Sequence, residues 1–191
     1  MNVSFKKVND NIYTFNDILP INLFYQGFDE FNPWNNNWFY KQESFVDENH
    51  PIRMGIAKCS ETLLGQSLPL INIGTYVKLI AECILKLKLT LVRVNTNIQF
   101  FGQESSYHID GNEKDYTFLI FLNDMWNAEW GGDFVVQQDT TEYMGFTPFP
   151  NMGILFRADF YHKGNAPNRL CSMPRISVAY TFTSNKNNVS N

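Results

Sequence analysis

Hydrophobic and polar positions along this chain change period near Leu89. Before it, Ile73, Tyr76, Val77, Ile80, Ile84 and Leu87 recur at spacings of three and four, while Lys78, Glu82, Lys86 and Lys88 fall mainly on the other face. The spacing predicts an amphipathic helix over residues 72–88, with Asn72 as its N-cap and lysines toward the end where the helix dipole favours cations. Such a helix is expected to back a sheet. After Leu89 the period is two. Over residues 91–101, Arg93, Asn95, Asn97 and Gln99 share one face, with Val92, Val94, Thr96, Ile98 and Phe100 on the other. The polar face reads either as a solvent face or as the wall of a polar cavity. Further strands are predicted at 116–122, 133–138, 152–157 and 175–183, with a loop at 123–130 and a turn or bulge at Gly131-Gly132. So many strands without intervening helices predict a mainly β fold with flanking helices (α+β), a sandwich or jelly roll.

The first 20 residues read as a strand and turn ending at Pro20. Aromatic residues then crowd residues 21–45, which read as core packing and loops, or as a lid covering the substrate. With 191 residues and no break in composition, a single domain 1–191 is expected, its catalytic jelly-roll core over about 90–184 and supporting elements over 1–89. A 16% aromatic content, with seventeen Phe and nine Tyr, favours a β-rich globule. The net charge of −4 argues against non-specific phosphate binding and so makes a nucleic-acid partner unlikely. Cys59, Cys83 and Cys171 are odd in number and form no Cys-x-x-Cys pair, which suggests neither a disulfide framework nor a zinc site. No uninterrupted apolar run reaches about 18 residues, and Lys6 and Lys7 precede no signal-like stretch. A soluble, cytoplasmic protein without a membrane partner is expected.

The candidate chemistry lies at Ser105 to Asp110 and at His162. His108 and Asp110 are two residues apart, so in an extended segment they project to one side. A second imidazole from a neighbouring strand completes two His and one carboxylate on one face of a metal, the arrangement of non-haem Fe(II) oxygenases. The chain has three His, and His50 is not needed for this set. Arg175, thirteen residues past His162, opens a strand in which Ser177 shares its face. A guanidinium fork beside a hydroxyl suits the distal carboxylate of a dicarboxylate co-substrate. Arg169 competes for this role from the Pro167 to Pro174 loop.

From Arg93 to Phe182 the sequence resembles the 2-oxoglutarate and Fe(II)-dependent dioxygenases, and within them the prolyl 4-hydroxylase-like branch. The matching pieces are His108-Ile109-Asp110, Tyr116 to Asn123, Trp126, Trp130-Gly131-Gly132, Pro148 to Phe156, His162 with Ala166-Pro167, and Arg175-Ile176-Ser177. The resemblance implies a double-stranded β-helix with His108, Asp110 and His162 as iron ligands and Arg175 holding 2-oxoglutarate. It also implies O2 as oxidant, succinate and CO2 as products, and ascorbate as the reductant that keeps the iron active. Relatives often place a Tyr near the distal carboxylate, and the similar positions here are Phe100 and Phe121. Thr117, Asn97 and Ser177 are therefore the candidates for additional 2-oxoglutarate contacts.

The expected activity is hydroxylation of proline in a peptide or protein, with Trp34 to Tyr40 and Trp126 to Trp130 as aromatic walls. Two alternatives stand beside it. One keeps the chemistry on a nucleic acid or small metabolite; the other is a non-catalytic jelly-roll module that binds a metal.

Overall fold

The computed structural model describes residues 4–31, 40–42, 54–59, 67–137 and 142–185, with the backbone alone for 40–42, 54–59 and 185. The period-two stretch becomes β5 (Lys88–Gln99), which lies between β11 (Arg175–Asn185) and β4 (Met54–Cys59). Outward from β11 come β6 (Asp115–Phe121), β9 (Gly153–Arg157), β2 (Ile12–Phe15) and β1 (Phe5–Asn9), and β3 (Tyr40–Gln42) lies beyond β4. A smaller sheet runs β10 (His162–Gly164), β7 (Phe134–Gln137), β8 (Tyr143–Phe146). Neighbouring strands in both sheets are antiparallel.

Alternation splits the apolar residues of the large sheet between two cores. Leu119, Phe121, Ile154, Phe156 and Ala179 meet Phe134, Val136 and Phe146 of the small sheet. On the opposite face Val94, Ile98, Phe118, Ile120, Val178, Tyr180 and Phe182 meet helices α1 (Ile21–Glu30) and α2 (Leu68–Leu85). Burying Leu70, Ile73, Val77 and Ile80 contributes roughly 1.5–3 kcal/mol each, and this face seats α2 on the sheet. The fold is thus three layers: helices, large sheet, small sheet.

Helix α2 starts four residues earlier than the spacing predicts. Ser67, not Asn72, is the N-cap: its side chain accepts from the Leu70 amide, and Pro69 suits the first turn. The helix ends at Leu85, and Lys86 takes a left-handed φ of 57°, so Lys86 and Lys88 lie past the last turn. At 18 residues and a mean hydropathy of 1.5, α2 is long and apolar enough to cross a membrane by length and composition, although Lys78 and Glu82 interrupt it. Helix α1 is not expected from the pattern; Phe24 and Gly27 supply its short buried stripe, and Phe31 is buried just past its end. Of the segment 21–45 read as core or lid, residues 32–39 and 43–45 lie outside those described, as does His50, and the aromatic wall expected from Trp34 to Tyr40 falls there, with Tyr40 described by its backbone alone.

The contact between α2 and the sheet turns on Tyr180, which is fully buried and donates its hydroxyl to the Leu70 carbonyl at 2.9 Å. A Cβ on Gly74 would lie 2.7 Å from the Tyr180 ring, and the hydroxyl tether stops that ring from moving aside. Gly→Ala in a helix ordinarily stabilises by about 1 kcal/mol, but overpacking a core costs about 1–3 kcal/mol. Gly74→Ala is therefore expected to destabilise the protein, read as a lower urea midpoint at unchanged slope. A raised midpoint would show that the ring yields.

Candidate metal and co-substrate site

His108 and His162 face each other as an isolated antiparallel bridge, each amide donating to the other's carbonyl at 3.0 and 2.9 Å. His108 thus sits in one bridge, not in a continuous strand edge. The segment stays extended enough for the alternation to hold, and Asp110 is pinned next by its amide donating to the Ala158 carbonyl at 2.8 Å. Ligand atoms of His108, Asp110 and His162 all lie within 4.8 Å of one another.

The imidazole protons are placed by the backbone. His108 Nδ1 lies 2.9 Å from the Ser106 carbonyl and His162 Nδ1 2.9 Å from the Phe160 carbonyl. A carbonyl only accepts, so each Nδ1 carries the proton and each Nε2 keeps its lone pair for a metal. His162 is 4% exposed and walled by Phe134 and Phe156, whose ring centroids lie 5.4 and 5.0 Å from its own. The His108 side chain is half exposed, so the site opens on that side.

Asp110 accepts from Arg93 Nη2 at Oδ1 (2.6 Å) and from Thr117 Oγ1 at Oδ2 (3.0 Å). His162 Nε2 lies 3.5 Å from Oδ2 and His108 Nε2 3.9 Å from Oδ1. Burial pushes this carboxyl up, but without a metal and with the imidazoles protonated, the hydrogen bond and charge of His162, then the charges of Arg93 and His108, outweigh it and hold the group well below the usual carboxylate range. Two nitrogens and one carboxylate with solvent access form a donor set that fits Fe(II) and its divalent neighbours.

Arg93, Thr181 and Thr117 occupy one rung across β5, β11 and β6. The next rungs pair Asn95 with Ala179 and Asn97 with Ser177, and the last pairs Gln99 with Arg175. The polar face of β5 is therefore partly buried and runs from Arg93, on the Asp110 carboxylate, to Gln99, on Arg175. Arg175 is 2% exposed, stacks 5.1 Å from the Phe121 ring, and donates from Nη1 to Gln99 Oε1. Its buried Nε has no partner. Burial pushes the guanidinium down to about 10, with Asp133 opposing, so it stays charged at neutral pH. A buried cation with an unanswered donor fits the distal carboxylate of 2-oxoglutarate.

Strand β11 is held in place at this point by Asn123, whose amide donates to the Pro174 carbonyl and accepts from the Ile176 amide, both at 2.7 Å, on either side of Arg175. Trp126 is buried, donates to the Gly131 carbonyl at 3.1 Å and meets Trp130 edge to face. Trp126 thus braces the Gly131-Gly132 turn beside Arg175 and does not stand as an open wall. Phe100 is 39% exposed; Gln99 holds the place beside Arg175. Thr117 reaches Asp110 rather than Arg175, while Asn97 and Ser177 lie one rung from it. Arg93, Gln99 and Asn123 are the site residues the sequence reading passed over; the polar face of β5 was the available signal for the first two.

The family model of the 2OG-Fe(II) oxygenase superfamily matches residues 95–183, which contain His108, Asp110, His162 and Arg175. This segment is a 2OG-Fe(II) oxygenase domain. No curated protein matches the chain by sequence. Among solved structures, a prolyl-4-hydroxylase from Pseudomonas putida is similar at a TM-score of 0.69 and 14% identity, covering 92% of this chain and 93% of that one. A prolyl hydroxylase from Trichoplax adhaerens, in complex with a hypoxia inducible factor peptide fragment, is similar at 0.68 and 15%, covering 92% and 84%. The non-haem α-ketoglutarate-dependent epimerase SnoN from nogalamycin biosynthesis reaches 0.70 at 13%, covering 91% and 78%. The oxygenase domain has the expected double-stranded β-helix fold, and its His-Asp-His set is consistent with Fe(II) and 2-oxoglutarate.

Arg93 lies just outside the matched segment, yet it grips a metal-site carboxylate. Groups that orient a metal ligand are typically worth about 10- to 100-fold in metal affinity. Arg93→Met is expected to weaken Mn(II) binding by about that factor, followed by electron paramagnetic resonance titration. Unchanged binding would reduce the Arg93–Asp110 contact to a partly exposed ion pair.

Proposed function

We propose that this chain is a 2-oxoglutarate- and Fe(II)-dependent hydroxylase acting on proline in a peptide or protein, using O2 and releasing succinate and CO2, with ascorbate as reductant. The observation that carries the oxygenase reading is one sheet face with the His108–Asp110–His162 set toward one end and the buried Arg175 at the other. The prolyl reading is supported by the likeness of nearly the whole chain to prolyl hydroxylases. It is also supported by a metal site that opens on the His108 side, where a chain segment can reach in.

When bound, the iron supplies the oxidising chemistry that couples decarboxylation of 2-oxoglutarate to hydroxylation of a carbon. The protein's residues bind and orient. His108 and His162 offer Nε2 lone pairs in a preset direction, and Asp110 stays ionised to accept the metal. Arg175 takes the distal carboxylate of 2-oxoglutarate and so sets the direction of its reactive end. Asn97 and Ser177, paired on the adjoining rung, would contact the chain of the co-substrate. Phe121, Phe134 and Phe156 keep water from the buried side.

The test uses protein with Fe(II), 2-oxoglutarate, ascorbate and a panel of proline-rich peptides. Hydroxyproline matched to succinate, and absent with His108→Ala, supports the reading. Succinate coupled to oxidation of a small molecule but of no peptide overturns the prolyl assignment and favours the metabolite alternative, to which the likeness to SnoN also points.

A further inference from the structure

We infer that Gln99 makes the site select a dicarboxylate co-substrate, by steering Arg175 while leaving its charge unanswered. This rests on the reading that Arg175 receives the distal carboxylate of 2-oxoglutarate. Gln99 is 7% exposed and its amide nitrogen donates to two carbonyls, Gln103 O and Gly164 O, each at 3.0 Å. Both amide hydrogens are therefore spent, and Oε1 is the atom turned to Arg175 Nη1. Arg175 gains a directional but uncharged acceptor.

Each neighbour accounts for a different part of this arrangement. Gly164 must lack a side chain, because a Cβ there would lie 2.8 Å from Arg175 Nη1 and 2.9 Å from Gln99 Oε1. Ser105 secures the same glycine, its hydroxyl donating to Gly164 O and accepting from Gly164 N, both at 2.9 Å. The two carbonyls demand a donor, which an ionised Glu at this position lacks. An apolar residue would leave the guanidinium without its guide. Among the described residues no carboxylate forms an ion pair with Arg175, and Asp133 acts on it only from beyond ion-pair distance, so the charge remains available to an incoming anion. A 2-oxo acid that lacks the second carboxylate cannot use it.

The experiment is isothermal titration of the Mn(II)-loaded protein with 2-oxoglutarate and with 2-oxobutyrate, which lacks the distal carboxylate. Gln99→Glu, which adds a competing carboxylate, is expected to weaken 2-oxoglutarate about 100-fold and leave 2-oxobutyrate unchanged. Gln99→Met, which removes the acceptor without adding charge, is expected to weaken 2-oxoglutarate about tenfold with the same selectivity, and it decides the matter if the Glu variant does not fold. Equal losses for both acids would make Gln99 merely structural, and no loss for either would remove it from the site. Arg175→Met separates the two readings. If it binds 2-oxoglutarate normally, the Arg175 assignment fails; if it loses 2-oxoglutarate while both Gln99 variants keep it, only the role of Gln99 fails.

Discussion

Asp110→Asn is expected to abolish metal binding and succinate formation, although the substitution changes almost no volume. Both carboxylate oxygens already accept hydrogen bonds, one from Arg93 at 2.6 Å and one from Thr117 at 3.0 Å. An ionised Asp accepts at both oxygens; an Asn has one acceptor and one donor. With its oxygen kept on Arg93, the amide turns its NH2 toward Thr117, whose hydroxyl can accept, but an NH2 then stands where a carboxylate oxygen was, and the negative charge that draws a divalent cation is gone. A loss of about three orders of magnitude in metal affinity combines the missing charge with the lost ligand oxygen. Titration with Mn(II), together with circular dichroism to confirm the fold, checks it. An Asn variant that retained iron and turnover would remove Asp110 from the metal site.

The second large effect concerns Arg175. Removing one partner of a buried, hydrogen-bonded charge pair costs about 2–5 kcal/mol of binding, so Arg175→Met is expected to weaken 2-oxoglutarate by two to three orders of magnitude. The ligand-free protein should respond in the opposite sense. The guanidinium is pushed down to about 10 by burial, and a base whose folded pKa lies below its unfolded one costs the folded state free energy at every pH below the folded value. Met has similar length and no charge to desolvate. The melting temperature without ligand should therefore equal or exceed that of the wild type, while the upward shift produced by 2-oxoglutarate should vanish. A variant with a markedly lower melting temperature would mean that Arg175 supports the fold rather than the ligand.

The legible parts of this protein were those written in local periodicity. The three-to-four spacing of Ile73, Val77 and Ile80 marked α2, and alternation located β5, β6, β9 and β11 to within about three residues at their ends. The cap was misplaced because Ser67-Leu68-Pro69 precedes the periodic run, and a capping residue is read only through its neighbours. Strand β10 spans 3 residues, too short for alternation to register, and β8, Tyr143-Met144-Gly145-Phe146, carries no alternation of apolar and polar side chains. His108 and Asp110 were legible as a pair because they share one extended segment. Their junction with His162 depends on a bridge between distant segments, which no local pattern encodes. Phe100 and Gln99 show the sharpest limit: a comparison displaced by one residue lands on the opposite face of a strand. Neither side chain announces that Gln99 will spend both amide hydrogens on carbonyls.

Each metal-site imidazole is anchored to a carbonyl of its own chain two residues upstream. The rings therefore hold their aim before any ion arrives, and such a receptacle screens divalent ions by shape only weakly. Nickel, copper or zinc outranks ferrous iron for nitrogen donors, so which element fills the protein depends on what its surroundings supply during maturation. Material purified on an immobilised nickel resin should emerge with nickel aboard and silent, and recover when stripped and reloaded with ferrous iron under nitrogen.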